Sequence, residues 1–83
     1  MYEIILSDKA KKQLIKLDKD LQRRIGFSFE RIKIRPHSFA KKLAGSPYFR
    51  LRVGNYRIIL DIKQDKLIIM VIEMGPRKNI YKN

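Results

Sequence analysis

"YFRLRVGNYRIILDI", residues 48–62, is the stretch on which the fold turns. Gly54-Asn55 separates two strand-like runs by two residues, and both residue types tolerate positive φ, so the stretch reads as a tight β-hairpin. A two-residue loop sets the register. Val53 then faces Tyr56, Arg52 faces Arg57, Leu51 faces Ile58 and Arg50 faces Ile59. Side chains alternate along a strand. Phe49, Leu51, Val53, Tyr56, Ile58, Leu60 and Ile62 therefore share a core face, and Arg50, Arg52 and Arg57 share the other. Like charges directly opposite one another destabilise a pair by up to about 1 kcal/mol. Asp61, further along the same face, relieves part of that. Three guanidinium groups held together at this cost suit a phosphate, which arginine grips with a planar, bidentate fork.

Working outward, Lys63-Gln64-Asp65-Lys66 joins the hairpin to a third run, Leu67 to Met74, completing an antiparallel meander. With a four-residue loop, Ile59, Ile68, Met70 and Ile72 fall on the arginine face. Arginines mixed with apolar residues suit a surface that something covers. The same parity puts Glu73 on the core face near Tyr56.

Upstream, Tyr2 to Leu6 reads as a short strand. Ser7 or Asp8 can cap a helix that carries Ala10, Leu14 and Leu17 at helical spacing. Asp18-Lys19-Asp20 makes a turn and a second cap. Leu21, Ile25, Phe29 (or Ser28) and Ile32 continue with helical period until Arg35-Pro36, because proline pushes the residue before it out of the α region. Pro36 to Pro47 reads as a polar connection tacked down by Phe39 and Leu43, with His37 solvent-facing or locally bonded. The order β-α-α-β-β-β gives an α+β fold, with an N-terminal helical hairpin packed on one face of a mainly antiparallel sheet.

The chain of 83 residues suits one domain spanning 1–83. It has no cysteine, which fits an intracellular, cytoplasmic setting. No signal peptide is visible, and the longest apolar run, Leu67 to Ile72, is far below the roughly 20 residues of a membrane helix. Neither a cofactor nor a metal is expected, since no histidine or carboxylate cluster stands out. Twenty Lys and Arg against eight acids give a net charge of +12. Residues 35–83 hold eleven of those bases and three of the acids. Such a surplus favours a polyanion, most often nucleic acid.

The tail, "MGPRKNIYKN", adds Arg77 and Tyr81 directly after a strand, with Gly75-Pro76 expected to turn the chain beside the sheet. A fourth guanidinium and a ring able to stack on a base would then join the cluster. Here the sequence resembles the RelE/ParE superfamily of toxins in toxin–antitoxin systems. The likeness rests on "YFRLRVGNYRIILDI", the strand after it, "GPRKNIY", the helical hairpin and "KKLAGSPYFRLR". It covers essentially the whole chain and is strongest toward archaeal RelE-type proteins.

The resemblance implies a ribosome-dependent endoribonuclease that cuts mRNA in the A site, with functional positions at Arg50, Arg52, Arg57, Arg77 and Tyr81. Lys41, Lys42, Lys78 and Lys82 are expected to add contacts to the RNA backbone. Better-known members carry lysines where this chain has Arg50 and Arg52. Arginine stays protonated and cannot readily serve as a general base, so the group that takes the proton is left open. The resemblance also implies an acidic, RelB-like antitoxin partner, besides the ribosome and mRNA. ParE-type members share the fold but poison DNA gyrase, and a non-catalytic RNA-binding module is a third reading.

Overall fold

The computed structural model describes residues 1–76. A five-stranded sheet in the order β1-β5-β4-β3-β2 carries the helices. Its strands are β1 (Glu3–Leu6), β2 (Lys41–Lys42), β3 (Phe49–Val53), β4 (Tyr56–Lys63) and β5 (Ile68–Pro76). The helices are α1 (Asp8–Ile15), α2 (Lys19–Ile34) and the single turn α3 (Pro36–Phe39). All neighbouring strands run antiparallel except β1, which lies parallel to β5 at one edge.

The helix starts follow from capping chemistry. The Ser7 hydroxyl accepts from the Ala10 N–H, and the Asp18 carboxylate accepts from the Leu21 N–H at 2.8 Å. Arg35-Pro36 ends α2 as expected, but Pro36 also opens α3, the first helical turn being the one place where its missing N–H costs nothing. The segment 36–47 is thus more ordered than a polar connection. It is anchored by Pro36 and Ala40, which are buried, whereas Phe39 is exposed.

Beneath the helices, Ile25 and Ile32 of α2 and Ala10 of α1 meet Leu51, Val53, Ile58, Leu60, Ile69, Val71 and Met74 of the sheet. Each fully buried large aliphatic side chain contributes about 1.5–3 kcal/mol. β1 covers β5 only from Ile68 to Val71. Beyond that, α1 meets the open edge: the Ser7 hydroxyl donates to the Ile72 carbonyl at 2.6 Å, and the Met74 N–H donates to Gln13 Oε1 at 2.7 Å. An edge that would otherwise offer free backbone groups to another chain is thereby closed.

Three expectations need correcting. Leu67 is not in the strand; it sits in the turn before β5 with φ of 54°. Gly75-Pro76 does not turn the chain, because both residues continue β5 and pair with Arg57 and Tyr56. Glu73 is not on the core face. A bulge places Ile72 opposite no residue of β4, so Val71 pairs with Leu60 and Glu73 with Ile59. One extra residue reverses the parity of the strand beyond it, which carries Glu73 to the arginine face.

Candidate nucleic-acid interface

The hairpin has the register that its turn dictates. Arg52 pairs with Arg57, Arg50 with Ile59 and Val53 with Tyr56, and Gly54 takes φ of 59° at the turn. β2 extends the basic row, because Lys41 lies opposite Arg50. Lys41, Arg50, Arg52 and Arg57 thus share one face of three adjacent strands. Lys42 pairs with Phe49 and so points to the opposite face, away from the arginines. Arg77, Lys78, Tyr81 and Lys82 lie outside the described residues. The described chain ends at Pro76, one residue past the pairing of Gly75 with Arg57.

The four cations differ in depth. Lys41 and Arg52 are exposed and Arg50 is half-buried, but Arg57 is only 3% exposed. Alternation along the strand gives the face of Arg57 and not its depth. Its flanking residues explain part of the burial: Gly75, opposite it on β5, has no side chain to compete for the space, and Ile59, two residues along, is itself buried. The expected open face of mixed arginine and apolar side chains is therefore only partly present. Ile68 and Met70 are half-buried on it.

The acids on this face are engaged elsewhere. Asp61 pairs with Lys63 at 3.2 Å, and Glu73 pairs with Lys9 of α1 at 2.6 Å. Among the described residues, Arg50 and Arg52 form no ion pair with a carboxylate. Phe39, Lys41, Arg50 and Arg52 line a small depression of about 210 Å³. His37 is not part of it; its ring packs edge-on against Phe49, centroids 5.3 Å apart, which makes it a local packing residue. The structure adds residues that the strand pattern did not reveal. Arg24 and Arg31 of α2 stand over the hairpin beside Arg52. They are two helical turns apart, a spacing visible in the sequence, but only the packing of α2 on β3 shows what they face.

A family model described as the ParE toxin of type II toxin–antitoxin systems matches residues 4–81. The chain belongs to the RelE/ParE toxin superfamily. This RelE/ParE-type toxin is similar in structure to RelE of the Pyrococcus horikoshii RelE–RelB complex, at 25% identity and a TM-score of 0.80, covering 92% of this chain and 94% of that one. The Methanococcus jannaschii RelB–RelE complex contains a chain 27% identical, with a TM-score of 0.73 and coverage of 93% and 94%. The intact Escherichia coli RelBE complex matches at 22% identity and a TM-score of 0.80, covering 92% of this chain and 96% of that chain, a likeness of fold. No curated protein matches this toxin. No helix among its described residues is long and apolar enough to cross a membrane.

Proposed function

We propose that this toxin is a ribosome-dependent endoribonuclease that cuts mRNA in the A site and so stops translation. The observation that carries the reading is the row Lys41, Arg50 and Arg52 on one face of β2 and β3, none of which forms an ion pair with a carboxylate among the described residues. Like charges side by side on neighbouring strands, as Lys41 and Arg50 are, carry a standing cost. An RNA phosphate would relieve it.

The chemistry such a surface can support is internal transfer. The ribose 2′-oxygen attacks the adjacent phosphorus while the bond from phosphorus to the 5′-oxygen breaks. The products are a 2′,3′-cyclic phosphate and a 5′-hydroxyl, the 2′ proton going to a base and the leaving oxygen taking one up. Positioning and charge stabilisation supply most of the rate in a reaction of this kind. In this scheme Arg50 and Arg52 hold phosphate oxygens directly, and Lys41 holds a flanking phosphate. Arg57, buried beneath them, acts through its charge, which is screened less there than at the surface. Arg77 joins the clamp, and Tyr81 stacks on a codon base or takes the proton. Lys78 and Lys82 add backbone contacts.

Primer extension on mRNA from ribosomes exposed to the purified toxin tests the scheme. Arg52→Ala and Arg57→Lys are each expected to reduce cutting by 10-fold or more, and undiminished cutting by both would dispose of it. The match to a ParE family model favours a second reading, poisoning of DNA gyrase. The two separate on induction, according to whether protein synthesis or DNA supercoiling fails first. Under either reading we propose an acidic antitoxin as partner in the cytoplasm, as the RelE relatives are seen bound to RelB.

A further inference from the structure

A second basic cleft lies around the edge of the hairpin from the arginine face. Arg24, Phe27, Ser28 and Arg31 of α2 form one wall, and Arg52, Val53 and Gly54 form the other, enclosing about 290 Å³. No Asp or Glu lines it among the described residues. Arg52 also lines the depression that holds Lys41 and Arg50, so the two hollows share a side chain and run on from one another. Gly54 is what lets Arg24 close over the turn. A Cβ on Gly54 would lie 3.1 Å from Arg24 Nη2, inside ordinary contact distance. Phe27, 62% exposed, offers an apolar ring at the same site.

We infer that this cleft is a second binding site for the phosphodiester backbone of single-stranded RNA, with Arg24 and Arg31 as its phosphate ligands, Arg52 as the link to the arginine face and Phe27 as a stacking surface for a base. The inference rests on the reading above that the toxin acts on RNA. Alternating guanidinium and aromatic groups without acids match a strand that presents phosphates on one side and bases on the other. A second copy of this chain is a poor occupant, since it too carries +12. The RNA held there is either the message beyond the cut or ribosomal RNA, and the two are separable by experiment.

The test uses the purified toxin, a single-stranded RNA oligonucleotide of 12 nucleotides and fluorescence anisotropy across a salt series. The double variant Arg24→Ala, Arg31→Ala is expected to bind about 10-fold more weakly, with a slope of log K against log salt shallower by about 1.4, two contacts at about 0.7 each. Arg24→Lys, Arg31→Lys is expected to recover most of the affinity. Arg23→Ala is the control, because Arg23 is exposed on α2 beside Asp20 and does not line the cleft. An unchanged melting temperature excludes misfolding, which is expected since both arginines are exposed.

Binding of the double variant equal to wild type or to Arg23→Ala would overturn the inference. So would a wild-type chain that binds neither the oligonucleotide nor ribosomes, or a double variant that loses poly-glutamate while retaining RNA, which would make the cleft a protein site. Weakened association with ribosomes lacking mRNA would assign the contact to ribosomal RNA. Weakening confined to the oligonucleotide would assign it to the message. The function proposed above fails by a different result, wild-type toxin that leaves mRNA uncut on ribosomes.

Discussion

Arg52 and Arg57 have the same charge and opposite surroundings, and their substitution should separate stability from function. Arg52 is exposed and faces a like charge, so Arg52→Ala removes repulsion and little packing. Its midpoint in urea should hold or rise by an amount equivalent to about 0.2–1 kcal/mol, while mRNA cutting falls. A clear loss of stability would show that Arg52 is held by contacts that matter to the fold. Gly54 makes a second case. Its φ of 59° belongs to the left-handed region, where a residue with a Cβ is strained by about 1–2 kcal/mol. Gly54→Ala should cost about that much in chemical denaturation and Gly54→Asn distinctly less, because asparagine visits that region more readily. Arg24 is a flexible side chain and can yield, so the backbone supplies most of the cost. Equal penalties for the two variants would point to the crowding by Arg24 instead.

The caps of α1 and α2 look alike in the sequence and differ in what they hold. Asp18 satisfies one N–H, that of Leu21, in an exposed setting. Ser7 caps Ala10 and also donates to the Ile72 carbonyl, tying α1 to the bulged edge of β5. Asp18→Ala should therefore cost about 1 kcal/mol and Ser7→Ala about 2 kcal/mol, as measured by denaturant unfolding. The same contrast explains what the sequence made legible. Caps, helical stripes and the two-residue turn at Gly54-Asn55 are local rules, and they place both long helices and every pairing of β3 with β4. The bulge at Ile72 leaves no mark in the sequence, and without it Glu73 is assigned to the wrong face. β2 is two lysines with no strand pattern, paired only because the edge of β3 is there to receive them. Arg24 and Arg31 belong to the surface only through the way α2 crosses the sheet. Of the candidate site, the row Arg50, Arg52 and Arg57 was readable from parity. The burial of Arg57 was not, since it depends in part on Gly75 lying opposite it and on the buried Ile59 two residues along.

The net charge of +12 overstates the field that an RNA strand meets. The molecule measures 33 × 27 × 23 Å, several times the Debye length of about 8 Å at physiological salt. Lysines at one edge are screened from a strand bound at the other. Lys11, Lys12 and Lys16 belong to α1 and its C-terminal cap, and α1 packs on β5, near the edge of the sheet remote from β2. Under the proposed function, the cations that count among the described residues are Lys41, Arg50, Arg52, Arg24 and Arg31, grouped about the β2–β3 edge. Five phosphate contacts on a single strand contribute about −3.5 to the slope of log K against log salt, so through them alone a tenfold rise in salt weakens binding roughly 3000-fold. Substituting Lys11, Lys12 and Lys16 together by glutamine removes a quarter of the net charge and should leave that slope unchanged. Arg52→Ala removes one charge and should make it shallower by about 0.7. The reverse order of effects in the same salt titration would mean that RNA is attracted by the overall charge, and that the arrangement of arginines around the hairpin selects nothing.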